Sequence, residues 1–341
     1  MVEAGMKHAV RQTRAMKAGG RVAYLRRVLR VYLFKKKSPL SFWHETPEVN
    51  DSAFGDGVGP YYMAFRGKSE YAGPFDSAGI PLLDYGGDIG RQYNPIAIAQ
   101  YGLASYNRYI ETGNASRREA FLHVADWLIA NLEENEAGIR VWNHHFNWPY
   151  RQPLIAPWYS GLAQGAGVSV LVRAAQEIGQ AQYSKAAEDA FISLTRLVPD
   201  GGVMVRDGAG DLWIEEYLVE PPSHILNGFI WALWGVYDFG RWSGSVQAQR
   251  LFKECTETIA RNLARYDAGF WSLYELPTDG PPMLASAYYH HLHVTQLRVM
   301  QRMTGDPNFG GWADRWDRYR QSRLNRARAT VRKAWFKLRY Y

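Results

Sequence analysis

The chain has 341 residues, 47% of them hydrophobic, enough to bury one large core or two smaller ones. Its single cysteine, Cys255, rules out an intramolecular disulfide, so nothing in the chain requires an oxidising compartment. The net charge of +7 is uneven: residues 1–40 carry +10, residues 315–341 carry +9, and the stretch between them is acidic.

From the N-terminus, Val22, Leu25, Leu29, Tyr32 and Leu33 fall near helical spacing among Arg26, Arg27, Arg30 and Lys35 to Lys37. This reads as a basic amphipathic helix, either packed on the body or lying on an anionic membrane surface. An anionic glycan is another partner for the basic ends. Nucleic acid ranks last, because no recognised binding motif accompanies the charge. No apolar run reaches the roughly 18 residues of a membrane span, and charges interrupt the N-terminal apolar stretch. The expectation is a cytoplasmic protein, peripheral at the inner membrane surface.

Residues 41–92 are rich in Gly, Pro and aromatic side chains and predict an irregular or β-rich arm. Helical periodicity starts at Pro95, suited to a first helical position, and runs to the Thr112-Gly113 stop. Further helices are expected over about 116–135, 158–178, 181–197, 223–241, 246–265 and 285–303, with a last one from about Trp312 into the basic tail. Cys255 falls within the helix expected over 246–265 as a small packed residue. Gly202 to Leu218 reads as a β-hairpin with a Gly-rich turn, and Gly138 to Trp148 and Phe270 to Leu276 look similar.

Eight helices in successive pairs predict a mainly α fold, an incomplete (α/α) toroid of helical hairpins with inserted β-hairpins lining one mouth. The expected division is a basic N-terminal segment over 1–40, the arm over 41–92, a catalytic domain over 93–314 and a basic helical tail over 315–341. The 13 Trp, 22 Tyr and 14 Phe fit a ring-rich core or a cleft that stacks sugar rings, and composition by itself favours the core.

No phosphate-binding loop, zinc-spaced Cys/His cluster or serine elbow occurs. His290 and His293 are three apart on a helix start, but no carboxylate stands at a matching spacing. Hydrogen-bonding roles are favoured over a metal, and no cofactor is expected.

Five stretches resemble the D-glucuronyl C5-epimerases of heparan sulfate and heparosan synthesis. They are Tyr93-Asn94-Pro95-Ile96-Ala97-Ile98-Ala99-Gln100-Tyr101-Gly102-Leu103; Pro157-Trp158-Tyr159-Ser160 with Ala163-Gln164-Gly165; Trp213-Ile214-Glu215-Glu216-Tyr217 with Leu226-Asn227-Gly228-Phe229; Tyr266-Asp267 with Tyr274-Glu275-Leu276; and Tyr289-His290 with His293 and Gln296-Leu297. They keep their order over residues 80–317. The resemblance implies a helical toroid as catalytic domain, a uronic-acid-containing glycan as substrate and a homodimer. The family's β-rich domain ahead of the helices has at most residues 41–92 here.

By that resemblance, Glu216 and Tyr289 are the opposed proton-transfer pair, and Tyr217 and Tyr274 orient the sugar and stabilise an enolate. Arg91, Tyr93, Trp158, Tyr159, Asn227, His290 and His293 are further candidate substrate contacts. Gln100 and Gln164 either join them or tie helices together. The types suit the reaction. The C5 hydrogen lies α to a carboxylate, so its removal leaves an enolate-like dianion that needs donors, and inversion needs a base and an acid on opposite faces. Residue for residue, without the family, Glu216 would be an exposed strand glutamate and Tyr274 a half-buried hairpin tyrosine.

One position departs from the pattern. An arginine that grips the uronate carboxylate is expected where Pro277 stands, and Glu275 replaces an Asp. Arg91, Arg151 or His290 takes over, or the substrate differs. A bacterial-type exopolysaccharide or lipid-linked oligosaccharide fits a cytoplasmic enzyme with basic ends. A polysaccharide lyase, a glycoside hydrolase and a non-catalytic glycan-binding protein are the alternatives.

Overall fold

The computed structural model describes residues 42, 43, 45–277 and 280–340, without the side chains of the last four. The elements below belong to one compact unit that begins after Trp43. The basic helix expected over 21–37 lies outside the described residues.

Most helices of this unit start and stop on residues with a physical reason to be there. Helix α1 (Pro95–Thr112) is capped by the Asn94 side chain, which accepts from the N–H groups of Ile96 and Ala97 at 2.9 and 3.2 Å. It ends at Gly113, left-handed with φ 68°. α2 is Ala115–Ala130, α3 Gly161–Ile178 and α4 Ala181–Phe191. α5 is Leu226–Ser243, α6 Val246–Asn262, α7 Ala287–Thr304, α8 Pro307–Gln321 and α9 Arg323–Tyr340. The helix expected from Trp312 into the tail is thus two. Ser322 breaks it and turns its hydroxyl to the Asn325 N–H at 3.3 Å. The helix expected to reach residue 135 stops at Ala130, because Glu133–Glu134 (β3) pairs with Arg140–Val141 (β4).

α1, α3, α5 and α7 are buried through most of their length and form an inner row, each packed on the next. α2, α4, α6 and α8 each lie outside their partner, with α6 the most amphipathic of them. The result is an incomplete (α/α) toroid. Between its first and last inner helices runs the arm of residues 45–92. Asn107 of α1 accepts from the Tyr61 N–H at 2.6 Å, and Thr295 of α7 donates to the Pro47 carbonyl at 3.4 Å. Behind the arm, Arg173 of α3 and Asp238 of α5 are both fully buried and 2.6 Å apart. The same aspartate accepts from Tyr62 at 2.5 Å, and Arg173 donates to the Gly59 carbonyl at 2.9 Å. The arm is therefore bolted to the inner helices through a desolvated ion pair.

The strands are short pairs at the helix ends. Leu83–Asp84 (β1) pairs with Arg91–Gln92 (β2), and Asn143–His144 (β5) with Trp158–Tyr159 (β6). Met204–Arg206 (β7) pairs with Leu212–Ile214 (β8) as the expected hairpin, Met204 opposite Ile214. The stretch 138–148 does not fold on itself. Its two halves pair outward, with β3 and β6. No helix among the described residues is long and apolar enough to cross a membrane.

α3 and α5 meet backbone to backbone. A Cβ on Gly165 would stand 2.4 Å from the Ala232 Cα, and one on Gly235 2.2 Å from the Gly165 carbonyl oxygen. Helix propensity alone makes Gly→Ala worth roughly 0.5–1 kcal/mol of stabilisation in a helix interior. At Gly235 the sign should reverse. Overpacking against rigid backbone costs about 1–3 kcal/mol, so G235A should lower the denaturant midpoint while a control such as G311A, whose Cβ would meet nothing within 4 Å, does not.

Candidate active site

The β7–β8 hairpin ends in Ile214-Glu215-Glu216-Tyr217, and two adjacent glutamates are buried there. Glu215 is consumed by the fold. Its N–H donates to the Val203 carbonyl and its carbonyl accepts from the Gly161 N–H, both at 2.9 Å. Its carboxylate accepts from the His224 N–H at 3.0 Å and lies 2.5 Å from His224 Nδ1. His224 is stacked on Trp213, ring centres 4.1 Å apart.

Glu216 turns the other way, onto the first turn of α5. Asn227 Nδ2 lies 3.4 Å from its Oε2, and a Cβ on Gly228 would come within 2.2 Å of the same oxygen. Only glycine leaves room for the carboxyl. Burial pushes its pKa from an ordinary 4.5 up to about 8; a hydrogen bond with Tyr217 pulls down, and the nearby Glu215 and Glu275 push up. Five carboxyl-bearing residues are buried among the described ones. Asp211, Glu215, Asp238 and Glu275 pair with Arg261, His224, Arg173 and Arg151. Glu216 has no basic partner of this kind.

It has tyrosines instead. Tyr289 enters from the first turn of α7, whose Ser286 cap accepts from the Tyr289 N–H at 3.2 Å. Tyr274 packs edge-on against it, ring centres 4.9 Å apart, and hydrogen-bonds to it. Tyr274 is fastened to α5 through its carbonyl, which accepts from the Leu226 N–H at 3.2 Å. Tyr217 packs between Tyr150, at 4.7 Å, and Trp158, at 5.8 Å. Tyr85 of the arm packs on Phe146 and Trp148, both at 5.3 Å, and accepts from Asn94 at 2.8 Å. Burial pushes all five tyrosine hydroxyls above their ordinary value, and the Glu216 charge adds to the rise at Tyr217, Tyr274 and Tyr289. Tyr85, Tyr150, Trp158, Tyr217 and Tyr289 are half-buried. A buried carboxyl rimmed by half-open rings and hydroxyl donors suits the apolar face and the polar edge of a pyranose.

The sequence pattern describing the "D-glucuronyl C5-epimerase C-terminus" matches residues 135–318, more than half of the chain and the span holding Glu216, Tyr217, Tyr274 and Tyr289. The chain belongs to the D-glucuronyl C5-epimerase family. The D-glucuronyl C5-epimerase of Caenorhabditis elegans is 32% identical over 240 residues, which are 66% of this chain and 38% of the worm protein. The chain thus spans well under half of that relative. An uncharacterized protein of Methanocaldococcus jannaschii is 27% identical over 261 residues, 71% of this chain and 83% of the archaeal one. Among solved structures, the unsaturated glucuronyl hydrolase of Bacillus sp. GL1 is 16% identical, with a TM-score of 0.44 over 65% of this chain and 60% of the hydrolase.

The structure gathers six of the positions that the family resemblance singled out: Glu216, Tyr217, Tyr274, Tyr289, Asn227 and Trp158. The others sit apart or are occupied. Arg91 is exposed on β2, 3.5 Å from Asp84, and the exposed Tyr93 donates to Asp76 at 2.7 Å. The Tyr159 hydroxyl donates to the Gly201 carbonyl at 3.1 Å. Gln164 bridges the Trp142 N–H and carbonyl, tying α3 to the residue between β4 and β5 and not to another helix. His290 lies between the Ser272 hydroxyl at 2.8 Å and the Trp316 carbonyl at 2.9 Å, and His293 also reaches Ser272, at 2.9 Å. Gln100 is buried in α1 with neither amide atom hydrogen-bonded. Sequence reasoning missed Tyr85 and Tyr150. Each reaches the site from a segment whose local pattern signals only a loop. Among the described residues no cluster of three His, Cys, Asp or Glu side chains could hold a metal ion.

The buried carboxyl has a thermodynamic signature. Its pKa is raised on folding, so its contribution to stability is fully present below about pH 4.5 and is lost as pH rises through about 8. E216Q removes the ionisation and keeps the shape. Relative to E216Q, the wild-type protein should lose on the order of 1 kcal/mol of stability per pH unit between pH 5 and 8, as read from denaturant melts of both proteins at pH 5, 6, 7 and 8. A constant difference across that range would show that Glu216 ionises normally in the fold.

Proposed function

We propose that the chain is a uronyl C5-epimerase, inverting C5 of D-glucuronate within a polysaccharide or lipid-linked glycan. The observation that carries this reading is the buried Glu216, unpaired by any cation and surrounded by tyrosine hydroxyls. Such a carboxyl is a stronger base than a solvated one and also holds a proton near neutral pH, so it can act on either side of a proton exchange.

In one direction the Glu216 carboxylate takes the C5 proton, leaving an enolate-like dianion, and the Tyr289 hydroxyl returns a proton to the opposite face. Glu216 is then protonated and Tyr289 is a tyrosinate. The reverse direction begins from that state, and exchange with solvent resets the pair. Tyr217 and Tyr274 donate hydrogen bonds to the carboxylate oxygens on which the negative charge grows. Burial among the tyrosines makes a charge on either oxygen expensive, so the resting pair holds both protons below about pH 8 and the active, singly protonated pair is populated as pH rises. The expectations of a homodimer and of a peripheral seat on an anionic membrane rest on the family and on the basic ends alone.

The test is deuterium uptake from heavy water into a panel of uronic-acid glycans, read by mass spectrometry and NMR. Uptake at C5 with chain length unchanged is expected, lowered at least about 100-fold by Y289F and by E216Q. A product absorbing in the ultraviolet would identify a lyase, and binding without exchange a glycan-binding protein.

The same mechanism fixes a pH dependence. Activity requires one proton on the pair, and with Glu216 at about 8 both members are protonated in the more acidic range. The kcat/KM should therefore rise close to tenfold per pH unit from 6 to about 7.5 and level off past 8. A kcat/KM that stays flat from pH 6 to 8 would overturn the shared-proton scheme.

A further inference from the structure

A uronate glycan is a chain of repeated negative charges, and the body that would receive it is itself acidic, with a net charge of −12 over residues 41–314. The positive charge that offsets this lies in residues 1–40 and 315–341, and of those two ends the structure describes the second. Its last helix, α9, holds seven Lys and Arg and no Asp or Glu in 18 residues. A field of one sign beside a cleft raises the local concentration of an oppositely charged ligand.

The placement of α9 ties it to the site. α8 runs back along α7, and its Trp316 carbonyl lies 2.9 Å from Nε2 of His290, the residue after Tyr289. α9 therefore begins at the end of the toroid that carries Tyr289. There it packs on the segment 270–285. Ala329 is buried with Phe270, Trp271, Tyr274 and Leu284, and Tyr217 and Tyr289 pack against the same cluster. Lys333 donates to the Leu284 carbonyl at 2.9 Å, and Leu284 is bridged to Leu273 beside Tyr274.

The arginines of α9 are left over from this packing. Arg323, Arg326, Arg328 and Arg332 are exposed, and among the described residues none of their side chains forms an ion pair or a hydrogen bond. Those of α8 differ: Arg315 meets Asp267 and Arg320 meets Asp317, both at 2.7 Å. Arg328 and Arg332 lie over the Phe270 ring, 4.0 and 5.6 Å from its centre, a contact that fixes the guanidiniums and uses none of their donors. From Arg323 to Arg332 the row covers about 14 Å of helix, longer than one sugar ring.

We propose that the row Arg323, Arg326, Arg328 and Arg332 is a second binding site for the glycan, taking carboxylates of uronate units that lie outside the Glu216 site. The proposal rests on the epimerase reading for the class of ligand. Exposed guanidinium–carboxylate pairs are weak singly, but one polymer engages several at once, and each further pair forms within a chain already held. The competing partner is an anionic lipid surface, because Leu324 and Val331 are exposed on the same helix. The glycan is favoured by position: the row leans on the segment that carries Tyr274.

The test compares the full-length wild-type chain with R323Q/R326Q/R328Q/R332Q and with the same four positions changed to lysine. Each is titrated with heparosan, with a heparosan trisaccharide, and with vesicles of phosphatidylglycerol in phosphatidylcholine. In the glutamine variant, heparosan affinity should fall about tenfold or more and its salt dependence should flatten, while trisaccharide affinity stays as in the wild type. The lysine variant keeps the charge and should stay within about threefold of the wild type for all ligands. Melting temperatures check folding, and R323Q/R326Q, which touches no ring, should lose heparosan affinity in the same direction. Unchanged heparosan affinity in the glutamine variant would overturn the proposal, as would a wild-type protein indifferent to heparosan. A loss confined to vesicles would assign α9 to a lipid surface instead. Equal losses for polymer and trisaccharide would place the effect inside the Glu216 site and overturn it too. The titrations involve no turnover. Heparosan binding through α9 with no C5 exchange would sustain the second site and sink the epimerase reading, and exchange with affinity independent of α9 would do the reverse.

Discussion

The carboxyl of Glu216 is lodged where the hairpin β7–β8 meets the first turn of α5, and that contact constrains its surroundings. It forbids a side chain at Gly228 and puts Asn227 beside Glu216. The Asn227 carbonyl in turn accepts from Gln296 of α7 at 2.9 Å. α7 carries Tyr289 two turns earlier. The separation of the two proposed proton carriers is thus set by the spacing of two inner helices. The Gly165–Gly235 crossing fixes the neighbouring helix pair by leaving no slack between α3 and α5. A carboxyl at the head of a helix ordinarily gains from the dipole and from open N–H groups. Here burial outweighs that gain, and the net effect on Glu216 is upward. The stability lost by burying an acid is the physical cost of a group that can hold or release a proton near neutral pH.

Much of the helical frame was legible because its signals are local. Asn94-Pro95, Ser160, Ser286 and the stops Gly113, Gly179 and Gly305 stand at the ends of inner helices and act within one turn. The break at Ser322 was visible in the same currency, a capping residue in mid-pattern, but an unbroken basic run hid it. The premature end of α2 had no such local mark. Residues 131–134 read as helix until Arg140 and Val141 arrive to pair with Glu133 and Glu134, and the pairing is tertiary.

The arm and the site lie at the opposite extreme. Tyr62 meets Asp238 across 176 residues of sequence, Arg173 meets Gly59 across 114, and Arg151 meets Glu275 across 124. No periodicity reports a partner that distant. A Gly/Pro-rich stretch with scattered aromatics looks irregular because its backbone is irregular. What the pattern does not carry is that Tyr61 and Tyr62 fill the opening between inner helices, or that Tyr85 arrives near Tyr217 and Tyr289. The proposed pair Glu216 and Tyr289 rests on family resemblance, since a glutamate at the end of a hairpin reads locally as a solvated residue.

Pairing, more than burial, separates the acids that build this fold from the one proposed to carry a proton. Burying a carboxylate costs free energy that an adjacent cation and hydrogen bonds offset. Asp238 with Arg173, Asp211 with Arg261 and Glu275 with Arg151 follow that rule and tie together segments remote in sequence, and Glu215 is held by hydrogen bonds to the nearby His224. Glu216 breaks it. A fold selected for stability alone would have filled that position with an apolar side chain or supplied a base. Keeping an acid there, rimmed by hydroxyls that can donate to new negative charge but cannot neutralise the existing one, leaves the missing positive charge to be settled by the site's occupant. If a uronate is the occupant, it brings a further negative charge. That charge raises the cost of ionising Glu216 further, and the tyrosine hydroxyls around it are the described groups placed to offset it.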